Sequence, residues 1–180
     1  AFTVATGIKV NLITASADAL LERMKAEGRN SPADVLLTTD AGRLIRATDA
    51  DVLRPVNSDV LAAAIPEQYR DPDGYWFGLG IRARVFFYSP DRVDPSELST
   101  YENLAAAEWQ GRVCIRSSTN VYNQSLLASL IAHDGLVSAE EWAAGMVANM
   151  ARDPQGGDRD QIKAVAAGQC DVAVANTYYY

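Results

Sequence analysis

Residues 112–133, RVCIRSSTNVYNQSLLASLIAH, decide the class of fold. The apolar run at their start predicts a buried strand over 112–116, and the polar group 117–120 ends it. Apolar residues then recur at helical spacing, which predicts a helix over 121–133. A strand that passes through a polar turn into a helix is the repeating unit of α/β proteins.

The same alternation of strands and helices extends through the rest of the chain. Short apolar runs predict further strands at 8–14, 33–38, 75–88 and 171–175. Amphipathic runs with capping residues predict further helices at 16–27, 39–46, 101–109, 138–151 and 161–167. Strands separated by helices predict an α/β fold with a parallel sheet. The run 75–88 exceeds an ordinary strand, so we expect it to leave one lobe and continue into another.

The composition indicates a globular chain with a sizeable core and argues against several classes of protein. Of 180 residues, 48% are hydrophobic and 22% are charged, which is too apolar for a disordered chain. The net charge is −7 and the arginines are scattered, so nucleic acid is not an expected partner. No segment approaches the roughly 20 apolar residues that a transmembrane helix needs. Residues 1–6 lack the basic start of a signal peptide, as those of a mature protein would.

Three consecutive tyrosines, Tyr178, Tyr179 and Tyr180, follow the last predicted strand. Neighbouring side chains diverge, so the three cannot all point into one core, and at least one phenol must face a cleft or solvent. Ligands of open α/β sheets bind at the carboxyl ends of the strands. Tyr122 lies one turn into the helix after strand 112–116 and can reach the same edge. This pattern predicts a shared binding site, with the filling of a core or an interface as the structural alternative.

A polar group that includes Arg116, Ser117 and Ser118 lies between that strand and that helix. Free backbone amides and hydroxyls at a helix N-terminus bind anions, and Arg116 adds a permanent positive charge. The simpler role for a polar residue at this position is to cap the helix, which Ser118 or Asn120 could do. The sequence leaves both roles open.

A cluster of phenols suits a hard, highly charged metal ion. A tyrosine side chain has an ordinary pKa of about 10, so a phenolate at neutral pH needs a strong Lewis acid or a nearby cation. Zinc prefers Cys and His and calcium prefers carboxylates and carbonyls, whereas tyrosine binds the iron of catalase. Ferric iron is therefore the predicted ion. The remaining candidates, interpreted as structural or solvated groups, are His133 at a helix end and the loop residues Asp153, Asp158 and Asp160.

Three segments carry a resemblance to a known family: RSSTNVYNQSL (116–126), GGDRDQIKAVAAGQCDVAVANTYYY (156–180) and ADVLLTTDAGRL (33–44). They resemble the periplasmic ferric-iron-binding proteins of ABC transporters, and the NTYY motif at 176–179 is specific. The resemblance extends over nearly the whole chain. It implies the two-lobed type II periplasmic-binding-protein fold, with three-layer α/β/α lobes and the ligand held between them.

The resemblance also implies how the chain divides. Residues 1–80 match part of the first lobe, 81–88 a crossover strand that acts as a hinge, and 89–180 most of the second lobe. Members of the family begin with a strand that carries a further ligand, and they continue well beyond the paired tyrosines. Because no matching segments precede Ala1 or follow Tyr180, we expect the chain to be a fragment that covers the fold only in part.

The resemblance assigns roles to the residues of the site. Tyr178 and Tyr179 match the paired tyrosine ligands of the ferric ion, and Tyr122 matches the further tyrosine ligand of one branch. Tyr180 is not expected to bind. The residues expected to flank the ligands, or to hold a companion anion such as carbonate, are Arg116, Ser117 and Ser118.

The implied function is that of a monomeric periplasmic receptor, which captures Fe(3+) and delivers it to an ABC transporter permease in the inner membrane. No catalytic activity is expected, since the sequence contains no P-loop, no nucleophile elbow and no zinc-protease motif. Two alternatives stay open. One is a receptor for another solute, of thiamine or polyamine type, on which the tyrosines stack. The other is an α/β enzyme that uses a tyrosine as acid or base.

Cys114 and Cys170 are the two cysteines, and their spacing is too wide for a CxxC zinc or redox motif. By count alone they could be two buried free thiols. Each stands at the edge of a predicted strand, however, and parallel neighbours in one sheet could bring them together. With the exported location that the resemblance implies, we predict a disulfide, which would stabilise the fold by roughly 4 kcal/mol.

Overall fold

The computed structural model describes residues 1–180, which form two compact units, Ala1–Gly78 (unit 1) and Leu79–Tyr180 (unit 2). The helices of unit 1 are α1 Phe2–Thr6, α2 Ala17–Glu27, α3 Ala41–Asp49 and α4 Asp59–Ala64. Unit 2 contains the strands β1 Arg84–Tyr88, β2 Val113–Cys114 and β3 Val172–Asn176. Its helices are α5 Val121–Asp134, α6 Leu136–Asn149 and α7 Asp158–Ala166. No helix combines the length and the apolarity that crossing a bilayer requires. The division into lobes with a hinge at 81–88 stays a prediction.

The sheet of unit 2 has β3 at its centre, in the order β1-β3-β2. β2 runs parallel to β3, with Val113 opposite Val172. β1 runs antiparallel to β3, with Arg84 opposite Asn176. The carboxyl ends of β2 and β3 and the start of β1 therefore lie at the same edge of the sheet.

Helices cover both faces of this sheet. On one face, Val174 of β3 belongs to a buried cluster with Leu126 of α5 and Met146 of α6. On the other face, Ala173 of β3 clusters with Ala164 of α7. Successive strand residues point to opposite faces, so both faces of β3 are buried and its first four residues, 172–175, are all apolar. The three-layer α/β/α architecture predicted from the sequence is confirmed for this unit.

The disulfide between Cys114 and Cys170 is present, with the two Cα atoms 5.9 Å apart. Cys114 ends β2, and Cys170 lies two residues before β3, so the parallel pairing brings the two side chains together. The bridge belongs to the buried cluster on the α7 face of the sheet. The predicted pairing is confirmed.

Two helices of unit 1 begin where the sequence predicts. The Ser16 hydroxyl accepts a hydrogen bond of 3.3 Å from the backbone N–H of Ala19 and caps α2. The Asp40 carboxylate accepts one of 2.9 Å from the N–H of Gly42 and caps α3. Both contacts satisfy donors that the first turn of a helix leaves without an intrahelical partner.

The predicted strands at 8–14 and 33–38 are wrong, because both segments are irregular in unit 1. Leu12, Val35 and Leu37 are 80%, 84% and 77% exposed. A strand is held by hydrogen bonds to a neighbouring strand, and neither segment pairs with one here. Their apolar patterns are those of strands, but residues 1–180 form no sheet that includes them.

Three further elements differ from the sequence prediction. Within 75–88 only β1 is a strand of the sheet, since its partner β3 pairs over five residues. The predicted helix at 101–109 is two separate 3-10 turns, because Ala106 between them has an extended backbone. The predicted capping box at Ser138 is wrong, since Gly135 ends α5 and α6 begins at Leu136.

Candidate functional site

The predicted tyrosines lie at the edge of the sheet where β2 and β3 end. A single 3-10 turn, Thr177–Tyr179, follows β3 directly and carries Tyr178 and Tyr179. The hydroxyl of Tyr178 donates to that of Tyr179 over 3.3 Å, and their ring centres are 4.3 Å apart. Tyr180, by contrast, is fully exposed. The turn therefore brings together the two phenols that the resemblance assigns as a pair.

Tyr122 reaches this edge from the first turn of α5. The side chain of Asn120 caps the helix by accepting a hydrogen bond of 3.0 Å from the Tyr122 N–H. The guanidinium of Arg82 lies 5.4 Å from the Tyr122 ring centre and 5.6 Å from that of Tyr178. Tyr122 and Tyr178 thus face the same guanidinium, although one follows β2 and the other follows β3.

Several arginines give this edge a positive electrostatic potential. Arg84 and Arg116 lie 5.9 and 5.5 Å from the centre of the Tyr122 ring, in addition to Arg82. Arg159 lies 5.3 Å from the centre of the Tyr179 ring. Guanidiniums at such distances are attracted to the face of an aromatic ring, and they stabilise negative charge nearby.

A buried carboxylate, Asp158, lies beneath these arginines. Its side chain is fully buried and accepts from Arg84 Nη1 at 2.8 Å and from Arg116 Nη1 at 3.2 Å. It also accepts from the backbone N–H of Asn176 at 3.0 Å. The interpretation of Asp158 as a solvated cap is therefore wrong, because the chain supplies two cations and an amide that compensate its burial.

Arg84 connects the elements that carry the tyrosines. Its Nη1 donates to Asn176 Oδ1 at 3.1 Å as well as to Asp158. Its Nη2 donates to Asn123 Oδ1 at 3.1 Å and to the Val174 carbonyl at 2.9 Å. One guanidinium thus ties α5, α7 and β3 together from the start of β1.

The sequence did not identify Arg82, Arg84 or Asp158 as site residues. The two arginines alternate with Ile81 and Ala83, so both point to one face of an extended segment. Two arginines at this spacing in an apolar run were the available sequence signal. Asp158 was noted only as one of three loop aspartates, since its two arginine partners are 42 and 74 residues away along the chain.

The predicted serines have mainly local partners. Ser117 Oγ accepts from the Thr119 N–H at 3.2 Å and lies 3.0 Å from the Thr119 hydroxyl. The carbonyl of Ser118 accepts from the Gln124 side chain at 3.2 Å. Of the two capping candidates, Asn120 caps α5 and Ser118 does not.

The other candidates lie outside this cluster. His133 is exposed in the last turn of α5, 3.6 Å from Asp134 and at the opposite end from Tyr122. Asp160 accepts from the Gly157 N–H at 2.7 Å, and Asp153 is exposed, so the structural interpretation of these two aspartates holds. No group of three or more His, Cys, Asp or Glu side chains in residues 1–180 could hold a metal ion.

Tyr101 also lies near Arg84 but is engaged elsewhere. Its hydroxyl donates to the Arg84 carbonyl, and burial raises its pKa above the usual 10.0 despite the nearby cation. Tyr101 therefore remains a neutral phenol engaged with the Arg84 carbonyl, and it is not a candidate ligand.

Comparison with known proteins gives one consistent result. The sequence profile of the bacterial extracellular solute-binding proteins matches residues 1–179. The chain is 58% identical over 178 residues to iron uptake protein A1 of Synechocystis sp., covering 99% of the chain and 49% of that protein. It is 33% identical over 179 residues to the Fe(3+)-binding periplasmic protein of Serratia marcescens, covering 99% of the chain and 52% of that protein.

Solved structures agree with the sequence comparison. The chain superposes with a TM-score of 0.95 on the Trichodesmium protein IdiA (FutA) in complex with iron and citrate, at 56% identity. The match covers 99% of this chain and 56% of that one. The chain therefore spans about half the length of the relatives that it matches.

Proposed function

The chain belongs to the bacterial extracellular solute-binding proteins, and from this membership we propose that it is part of a periplasmic receptor for ferric iron. The family and the α/β fold are those that the sequence predicts. Several relatives are named as iron uptake or ferric-iron-binding proteins, and one similar structure contains iron and citrate. These names describe the relatives. For this chain, the arrangement of the tyrosines is the supporting observation.

The observation that carries the proposal is the convergence of Tyr122, Tyr178 and Tyr179 at one edge of the sheet. The phenols of Tyr178 and Tyr179 are 3.3 Å apart, and the rings of Tyr122 and Tyr178 flank one guanidinium. Three phenolates carry a charge that balances Fe(3+), and phenolate oxygen is a hard ligand suited to that ion. Each phenol must lose a proton to bind the metal, so ferric binding should weaken as the pH falls.

The charges around the tyrosines also support a companion anion. Arg82, Arg84 and Arg116 surround the Tyr122 ring, whereas Asp158 is the carboxylate that pairs with two of them. A positive charge is left over at this edge even when the phenolates neutralise a ferric ion. We propose that carbonate or another small carboxylate-like anion binds there, with Arg116 and the turn at Ser117 and Ser118 as its contacts.

The remaining parts of the proposal concern the whole receptor. It acts as a monomer in the periplasm, catalyses no reaction, and delivers the ion to an ABC transporter permease in the inner membrane. The family membership and the periplasmic location named for the Serratia relative support this assignment. The net charge of −7 gives no support to a nucleic-acid partner.

The test is a titration of the full-length protein with ferric citrate, followed by visible absorbance. Ferric ion bound by phenolates gives a charge-transfer band in the visible range, so we expect the colourless protein to become coloured with a saturable end point. A receptor for a thiamine- or polyamine-type solute, or a tyrosine acid–base enzyme, would give no band. Absence of colour at saturating ferric citrate would therefore contradict the proposal.

A further inference from the structure

Asp158 places a carboxyl group where charge is expensive. It opens α7, its side chain is fully buried, and its three donors come from three other parts of unit 2. Burying a carboxylate removes it from water at a large cost in free energy, which is recovered only where its partners are held in good geometry. The arrangement around Asp158 meets that requirement, since two guanidiniums and a backbone N–H donate to its two oxygens.

The first partner, Arg84, uses both terminal nitrogens as donors, whereas its buried Nε has no hydrogen-bond partner. Its side chain is 9% exposed, and its two terminal nitrogens donate to four acceptors within 3.1 Å. Because the guanidinium is planar and rigid, fixing one of these contacts fixes the directions of the others. The Asp158 carboxylate supplies the charged contact, so it sets the orientation of the Arg84 fork.

The contacts of Arg84 lead to the tyrosines. Asn176 accepts from Arg84 through Oδ1 and donates through Nδ2 to the Tyr178 hydroxyl at 3.3 Å. Asn123, which accepts from Arg84 Nη2, is the residue after Tyr122 and donates to the Arg116 carbonyl at 2.7 Å. Asp158 also accepts the backbone N–H of Asn176, the last residue before the turn that carries Tyr178.

From these contacts we propose that Asp158 is a positioning residue for the iron ligands, which acts through Arg84 and Asn176 on Tyr178. The inference rests on the proposed function and names no new ligand. Holding Tyr178 in place before the ion arrives removes part of the ordering cost of binding, which raises affinity. Asp158 reaches Asn176 both through Arg84 and directly through the Asn176 backbone N–H, and Asn176 in turn contacts the Tyr178 hydroxyl.

The experiment compares Asp158→Asn with Asp153→Asn in the full-length protein. Asp153 is exposed and lies five residues earlier, so this control removes one carboxylate charge without touching these contacts. We expect Asp158→Asn to weaken ferric binding by about tenfold or more and to shift the charge-transfer band, since the residues that orient metal ligands typically contribute that much. Asp153→Asn should stay within about twofold of the wild type, as expected for an exposed charge.

A double-mutant cycle with Tyr178→Phe separates positioning from general loss of structure. If Asp158 acts through Tyr178, then Asp158→Asn should cost much less, about threefold or below, once the Tyr178 phenol is gone. Equal losses in the two backgrounds, or equal behaviour of Asp158→Asn and Asp153→Asn, would overturn the inference. Should Asp158→Asn not fold, Asn176→Ala cuts the same link to Tyr178 and must show the same coupling to Tyr178→Phe, or the inference is wrong.

Loss of the receptor function and loss of the Asp158 positioning role would give different results. A wild-type protein that gives no ferric band contradicts the proposed function and removes the role of Asp158 with it. A coloured wild type with no coupling between positions 158 and 178 leaves the receptor function intact and overturns the positioning role alone.

Discussion

The phenol oxygens of Tyr178 and Tyr179 lie 3.3 Å apart, although consecutive residues of an extended chain point in opposite directions. The 3-10 turn Thr177–Tyr179 removes that divergence and places both hydroxyls on one side. Two oxygens at this distance can bind a single ion once they are deprotonated. The next residue, Tyr180, leaves the turn and is fully exposed.

Replacing Tyr178 or Tyr179 with Phe should therefore weaken ferric binding by about tenfold or more, because each change removes one oxygen and keeps the ring. Tyr180→Phe is the matched control and should be nearly silent. The measurement is a ferric titration of the three variants followed by visible absorbance. Loss of colour in Tyr180→Phe alone would show that the ligand assignment is wrong, and silence of all three would contradict the iron site itself.

Tyr122→Phe tests the proposed ligand that comes from α5 and not from the turn after β3. Tyr122 lies beside the same Arg82 guanidinium as Tyr178, which places its phenol at the proposed site. Because the variant removes that phenol oxygen, it should lower ferric affinity by about tenfold or more and reduce the intensity of the charge-transfer band. Tyr88→Phe serves as the control, because Tyr88 pairs with Val172 at the opposite end of the sheet. Equal titration curves for the two variants would exclude Tyr122 as a ligand.

The disulfide should contribute to stability more than to binding. It closes a loop between residues 56 positions apart, for which the chain-entropy relation gives about 4 kcal/mol. Replacing both Cys114 and Cys170 with Ala should lower the free energy of unfolding in urea by about that amount. Dithiothreitol should have the same effect on the wild type and no further effect on the double variant. Equal stability of oxidised and reduced wild type would show that the bridge contributes little.

The sequence located the elements whose signals are local, and it joined distant residues only where strand edges or the family resemblance supplied a rule. Strand β3 and the first turn of α5 were predicted because each lies in or beside a short apolar run with clear ends. The disulfide, between residues 56 positions apart, was predicted from two strand edges together with the exported location that the resemblance implies. The contact between Arg84 and Asp158 spans 74 residues and has no spacing rule that a single sequence could reveal. The prediction of strands at 8–14 and 33–38 was wrong for a related reason, since a strand depends on hydrogen bonds to a partner strand elsewhere in the chain.

Gly145 in α6 should not tolerate even an alanine. A Cβ built there would lie 2.7 Å from the Ala105 side chain and 2.9 Å from its carbonyl oxygen. Gly→Ala in a helix normally stabilises by up to about 1 kcal/mol, but crowding against a backbone atom costs about 1–3 kcal/mol. The clash prevails, so Gly145→Ala should lower the free energy of unfolding in urea. Ala144→Gly, at the exposed neighbouring position, should cost only about 0.5–1 kcal/mol. A stabilised Gly145→Ala protein would show that α6 can move away from Ala105.

Asp171 links stability to pH at the end of the sheet opposite the tyrosines. Arg112 Nε and Arg92 Nε each donate to its carboxylate at 2.7 Å. Partial burial raises the pKa of this carboxyl, but the hydrogen bonds from Arg112 and Arg92 outweigh burial and hold it below the usual 3.8. A group whose pKa is lower in the folded state stabilises the fold above its unfolded value, and the contribution disappears as the pH falls through the folded value.

Asp171→Asn should therefore lower the melting temperature of the metal-free protein at pH 7. The difference from the wild type should shrink as the pH falls below about 3.8, because protonation then removes the same negative charge from the wild type. Asp91→Asn, at an exposed position in the turn after β1, is the control for the loss of one carboxylate. Its melting temperature should differ little from that of the wild type at pH 7 or at pH 3. The measurement is thermal unfolding by circular dichroism from pH 7 to pH 3. If the difference between Asp171→Asn and the wild type stays constant over this range, the lost stability does not come from the negative charge of Asp171.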